Sequence, residues 1–167
     1  MSNIKKAEPS GIAVRRAVKN DGKILLSLID ALADYEKLAR PDRAARRRLL
    51  RDAFGAKKRF SVFLAFDGRK AVGYAIYFFT YSSFLALPTL YLEDLFVLPE
   101  YRKKKAGWKL FCSCVAEAKK QGCGRMEWMV LDWNQIAIDF YDRLGAKHLK
   151  GWLPYRLERK QFFDLLR

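Results

Sequence analysis

The chain has 167 residues, with 33 Lys and Arg against 18 Asp and Glu for a formal charge of +15, and 51% of its residues are hydrophobic. That apolar fraction excludes a disordered polycation, no apolar run approaches the ~20 residues of a membrane span, and the polar start through Ser10 lacks the apolar core of a secretory signal. The composition predicts a soluble cytoplasmic protein: a flexible segment 1–10, then one domain, 11–167, that buries roughly two thirds of its unfolded surface without disulfides or metal.

The β-branched stretch 11–16 predicts a strand, and Asn20-Asp21-Gly22 offers caps for a helix over 23–36. There Leu25, Leu28, Ile29 and Leu32 recur at three- and four-residue spacings, giving one buried face and leaving Asp30 and Asp34 toward water. A second helix is expected over 42–54. Apolar-aromatic runs at 61–66 and 71–81, joined by Asp67-Gly68, read as a hairpin. A third central strand covers 89–97 and Pro99 closes it. A helix over 107–121 follows, stopped by Gly122 and Gly124. Then come a buried strand over 126–131, a helix from the N-cap candidate Asn134 to Leu144 with Gly145 at its stop, a strand over 152–157 and a short helix over 161–166. The pattern is a mixed α/β fold. Three cysteines, Cys112, Cys114 and Cys123, have no metal-ligand spacing among themselves or to the lone His148, so the expectation is reduced structural thiols and no metal.

Two stretches carry chemistry. The first is Tyr91-Leu92-Glu93-Asp94-Leu95-Phe96-Val97 followed by Pro99-Glu100-Tyr101-Arg102-Lys103-Lys104-Lys105-Ala106-Gly107: a strand, a basic loop and a helix start. Helix-start amides and four consecutive cations suit a phosphate, although a basic run before a helix also serves as a solvated face. The second is Asp132-Trp133-Asn134-Gln135-Ile136-Ala137-Ile138-Asp139-Phe140-Tyr141-Asp142-Arg143-Leu144-Gly145-Ala146.

Together the strand, the Arg-x-x-x-x-Gly loop, the helix, the next strand and Trp-Asn-x-x-x-Ile-x-Phe-Tyr-x-x-Leu-Gly-Ala resemble the GNAT superfamily of acetyl-CoA-dependent N-acetyltransferases. Val72-Gly73-Tyr74-Ala75, Phe79-Thr80-Tyr81, Tyr91-Leu92-Glu93-Asp94 and Tyr35-Glu36 are similar to its diamine branch, the spermidine/spermine and thialysine acetyltransferases. The resemblance implies an α/β (α+β) fold, with a central mixed, mostly antiparallel twisted sheet flanked by helices, and a homodimer. It implies direct acetyl transfer from acetyl-CoA to a small-molecule primary amine, with Glu93 as general base and Tyr141 as general acid. Leu95, Phe96 and Val97 would pair with the pantetheine arm, Arg102, Lys103, Lys104, Lys105, Ala106, Gly107 and Trp108 would cradle the pyrophosphate, and Asn134, Gln135, Ile136, Ala137 and Tyr141 would line the cofactor groove.

The chemistry of transfer agrees with these roles. A lysine-like amine has a reference pKa of about 10.4 and must be neutral to attack, so a carboxylate or ordered water has to take its proton; a phenol is a reasonable donor to a leaving thiolate. Read without the motif, Glu93 is also an exposed strand carboxylate, Tyr141 a core aromatic and Asn134 a helix cap. Tyr35, Glu36, Glu93, Asp94 and Glu127, with Trp128 and Met129 beside the last, are the candidate contacts of a cationic acceptor.

Two features depart from the family pattern. Lys105 stands where the loop usually carries glycine, and residues 40–59 hold seven Arg and two Lys against Asp42 and Asp52, the wrong sign for a polycation, as is Lys150 ahead of Gly151-Trp152. An antibiotic or protein amine as acceptor therefore stays open, as does a polyanion- or nucleic-acid-binding module suggested by the +15 charge.

Overall fold

A computed structural model describes residues 11–166; the expectation for 1–10 lies outside the described residues. The residues fall into two compact units, one running through Met129 and one from Val130 onward.

The first unit is built on five strands, β1 (Ile12–Arg16), β2 (Ser61–Asp67), β3 (Lys70–Ser82), β4 (Leu87–Val97) and β5 (Arg125–Trp128), lying side by side in chain order. The first four pair antiparallel, and β5 joins β4 in parallel. A parallel neighbour requires a crossover, which α3 (Ala106–Lys120) provides. Two more helices, α1 (Gly22–Tyr35) and α2 (Arg43–Phe54), precede β2. Leu25 and Leu28 of α1 and Ala53 of α2 close a core with Val62, Leu64, Tyr74, Ile76 and Phe96. Residues of the opposite parity, Phe63, Ala65, Ala75 and Tyr77, are buried as well, and α3 packs across β1 to β4 with Leu110, Phe111 and Cys114 inward. Strands covered on both faces read as continuous apolar runs, which is why 61–66 and 71–81 show little alternation.

Asp30 and Asp34 do not simply face water. Arg46 of α2 forks onto Asp30 at 2.6 and 2.8 Å, and Arg40 onto Asp34 at 2.8 and 2.6 Å. Arg51 and Arg59 converge on Asp52. The basic segment 40–59 is thus partly neutralised, by α1 as well as from within.

The β3–β4 ladder contains one irregularity that sets up the site. Ile76 pairs with Asp94 but Tyr77 pairs with Leu92, so Glu93 is an extra residue with no partner on β3. Such a bulge bends the strand and increases its twist. The β4–β5 ladder runs from Thr89–Arg125 to Leu92–Trp128 and stops at this point. The strand expected over 126–131 is therefore shorter at its end, and Met129, Val130 and Leu131 are exposed.

The second unit carries α4 (Gln135–Arg143) and α5 (Arg159–Leu165). The strand expected over 152–157 does not form. Strand preference reflects fit to a half-buried pleated surface rather than the backbone's own tendency, and Trp152, Leu153 and Tyr155 are largely exposed, so nothing rewards extension. Among the described residues no helix is long and apolar enough to cross a membrane.

Candidate active site

Beyond the bulge the alternation of β4 is reset. Leu92 faces α3 with its partner Tyr77, whereas Asp94 and Phe96 turn with Ile76 and Tyr74 toward α1. Asp94 thereby reaches the fully buried Tyr74, whose hydroxyl donates to its Oδ2 at 3.2 Å. Glu93 itself is exposed. Tyr35 ends α1, its ring centroid 6.3 Å from that of Phe96, which lies 6.2 Å from Tyr74. Glu36 caps the helix directly after it.

Glu93 and Glu36 so both lie within charge range of Asp94. Burial, with the Glu93 charge beside it, pushes the Asp94 carboxyl up to about 6; the bond from Tyr74 opposes this rise and Glu36 adds to it. Burial also raises the Glu36 carboxyl. The Tyr74 phenol is raised well above its ordinary value, first by burial and then by Asp94. A cation beside Asp94 would relieve this crowding of negative charge.

Other candidates are placed differently. Glu127 of β5 is paired to Arg125 at 2.9 Å. Trp128 sits edge-on to Phe111 of α3, centroids 5.5 Å apart, and Met129 lies exposed past the strand end. Glu127 shares with Glu93 an effect on Tyr91, whose phenol is raised first by burial and then by these two charges.

Leu95, Phe96 and Val97 continue to pair with β3, opposite Ala75, Tyr74 and Gly73, after β5 has ended, so their far edge lies beyond the β5 ladder. Gly73 permits this approach: a Cβ there would come within 2.6 Å of the Phe96 carbonyl oxygen. Past Val97 the chain makes one turn, Pro99–Tyr101, and enters the basic loop. Lys103 and Lys105 both adopt left-handed backbone, φ 63° and 67°. The loop thus keeps at Lys105 a conformation that glycine reaches at low cost, with lysine in its place. The first helical bond of α3 runs from the Lys109 amide to the Lys105 carbonyl, which leaves the amides of Ala106, Gly107 and Trp108 outside the helical ladder. No acidic residue occupies that first turn. At Gly107 an added Cβ would meet Val97 Cγ2 at 3.8 Å, so the helix start lies in ordinary contact distance of the end of β4. Amides outside the helical ladder, exposed Lys103 and Lys105 and a strand edge past the end of β5 fit a diphosphate followed by an extended arm.

Lys104 Nζ lies 4.8 Å from the Tyr101 ring centroid, and Lys70 Nζ lies at the same distance. Arg102 instead stacks its guanidinium 4.4 Å from the Tyr35 centroid and donates from Nε to the Val97 carbonyl at 3.2 Å.

In the second unit Asn134 accepts from the Ala137 amide at 3.3 Å, the expected cap. Gln135 donates to Asp139 at 2.6 Å, and Ile136 is exposed. Tyr141 is half-buried, with its ring 5.3 Å from that of Phe140.

Sequence reasoning missed the roles of Tyr74 and Arg102. Their partners are 20 and 67 residues away, and no local pattern announces such contacts; only the bulge, which reverses the face of Asp94, brings Tyr74 to it.

Comparison with known proteins places these features in a wider set. Residues 25–146 match the acetyltransferase (GNAT) family. Thialysine N-epsilon-acetyltransferase from Sus scrofa is 34% identical over 167 aligned residues, covering 93% of this chain and 98% of the relative. L-ornithine N5-acetyltransferase NATA1 from Arabidopsis thaliana is 44% identical over 85 residues, 51% of this chain and 37% of that protein. Among solved structures, the aminoglycoside N-acetyltransferase AAC(6')-Iy in complex with CoA superposes with a TM-score of 0.74 at 20% identity, over 92% of this chain and 98% of the other, which shows the shared fold.

Proposed function

The chain belongs to the acetyltransferase (GNAT) family, as an acetyl-CoA-dependent N-acetyltransferase, and we propose that it acetylates the side-chain amine of a small lysine- or ornithine-like molecule by direct transfer. The observation that carries the acceptor class is the bulge at Glu93, which turns Asp94 onto the buried Tyr74 with Glu93 and Glu36 both within charge range of it. Thialysine and ornithine, the acceptors named for two relatives, are short amino acids with a single side-chain amine. Exposed Arg43, Arg47 and Arg48 on α2 disfavour a long polycation.

Acetyl-CoA supplies the acetyl group as an activated thioester. Lys103 and Lys105, with the amides of Ala106, Gly107 and Trp108, would hold its diphosphate, and the edge of Leu95, Phe96 and Val97 past the β5 ladder would align its arm, the Val97 carbonyl being held by Arg102. Asp94 and Glu36 hold the acceptor as its ammonium. Glu93, exposed on the bulge, takes the proton that must leave before the nitrogen can attack. Tyr141 Oη is the proton donor for the leaving sulfur; its support is the Asn134 to Ala146 motif and a half-buried phenol on an N-capped helix. The family match spans residues 25–146 and so crosses from the first unit into the second, which supports 11–167 acting as one domain.

The second unit exposes Trp152, Leu153, Tyr155, Phe162, Phe163 and Leu165. Exposed apolar side chains in this number favour association of two copies, and sedimentation at micromolar protein tests the dimer: a monomer alone removes it. The acceptor reading is tested by a panel of amines with acetyl-CoA and a thiol-release readout. Turnover of lysine- and ornithine-like amines ahead of spermine supports it, and preference for spermine or for aminoglycosides overturns it.

A further inference from the structure

The family resemblance sets Arg102 in the phosphate-binding loop, yet its side chain is engaged elsewhere. Nε is bonded to the Val97 carbonyl and the guanidinium covers Tyr35, while Lys103 and Lys105, its loop neighbours, are exposed. Tyr35 is the last residue of α1, and Glu36 follows it as cap. From Arg102 a continuous packed series runs through Tyr35, Phe96 and Tyr74 to Asp94.

We propose that Arg102 is a positioning residue for the acceptor rather than a phosphate ligand: clamped between the Val97 carbonyl and the Tyr35 ring, it pins the end of α1 to β4 and so holds Glu36 within charge range of Asp94. The physical case is geometric. A helix end frays unless something holds it, and the cap bonds of α1 are local, with the Glu36 amide reaching only the Leu32 and Asp34 carbonyls. Arg102 adds a contact from a distant segment, a planar cation on an aromatic face with its Nε committed to a strand carbonyl, an arrangement lysine reproduces only in part. Because the loop starts at Val97 and Arg102 bonds back to it, the strand that bears Asp94 and the helix that bears Glu36 share one fastener.

This inference rests on the acetyl-transfer reading for its kinetic consequences but not for its structural ones. Three variants, Arg102→Ala, Arg102→Lys and Tyr35→Leu, are compared for coenzyme A affinity by calorimetry, for the acceptor KM at saturating acetyl-CoA, and for amide hydrogen exchange over residues 33–37 in the free protein. Arg102→Ala is expected to raise the acceptor KM about tenfold, to leave the coenzyme A Kd within about twofold, and to speed exchange over 33–37. Arg102→Lys should fall between it and the parent, and Arg102→Ala combined with Tyr35→Leu should be no worse than the poorer single variant, since both remove the same contact. A tenfold loss of coenzyme A affinity with an unchanged acceptor KM overturns the proposal, as does unchanged exchange at 33–37. If no amine is acetylated by the parent, the functional reading fails while the exchange comparison still decides the role of Arg102.

Discussion

The Tyr74 hydroxyl donates to Asp94 across 3.2 Å, from a wholly buried ring to a carboxylate that the protein holds near a pKa of about 6. The bond is too weak to undo the cost of burying a charge beside Glu93, so Asp94 is a strained element of the fold at neutral pH.

Asp94→Asn should therefore stabilise the protein and damage its activity. The folded carboxyl titrates near 6 against about 3.9 in the unfolded chain, so its stabilising contribution is complete below pH 4 and is lost as pH rises through 6. Denaturation at pH 7 should find the variant more stable by about 1–3 kcal/mol, with the advantage vanishing near pH 4. In the parent enzyme the acceptor KM should rise as pH falls through 6, because a protonated Asp94 no longer holds an ammonium. A variant no more stable than the parent at pH 7 removes this account of Asp94.

Glu93→Gln keeps the size of the bulge residue and removes its basicity. The expected rate loss, roughly 10² at pH 7, should shrink toward pH 10 as more of the amine is neutral before it binds. Rate measurements from pH 7 to 10 separate this from a positional role, for which the loss stays constant.

Tyr141→Phe removes one hydroxyl and leaves a ring that can still pack against Phe140. Turnover should drop by about 10² with coenzyme A affinity intact, read by stopped assays and calorimetry together. Unchanged turnover rejects the phenol as the acid.

Lys105 adopts φ 67°, where an L side chain carries a steric cost and glycine does not. Lys105→Gly should hold or raise stability by up to about 1 kcal/mol and leave coenzyme A binding close to that of the parent. Lys105→Glu keeps the backbone cost and reverses the charge, so it should weaken coenzyme A by about tenfold or more. Titration with coenzyme A and dephospho-coenzyme A shows whether the loop meets the diphosphate or the 3′-phosphate: equal weakening for both ligands identifies the diphosphate.

Much of this protein is decided by local sequence. The 3.6-residue spacing of Leu25, Leu28 and Leu32, the turn at Asp67-Gly68, the cap at Asn134 and the apolar runs of β2 to β4 each specify their element through contacts a few residues apart, and the motifs of the strand, loop and α4 sufficed to predict the family. The arrangement of the charges was not legible in the same way. Pairing register is a property of two strands together, and one extra residue at Glu93 reverses which face each later side chain of β4 takes, so only the β3–β4 ladder could set Asp94 against Tyr74. The same holds for Arg46 on Asp30, for Arg102 on Tyr35, and for residues 152–157, whose apolar alternation forms no ladder among the described residues: each outcome depends on what the rest of the chain places alongside.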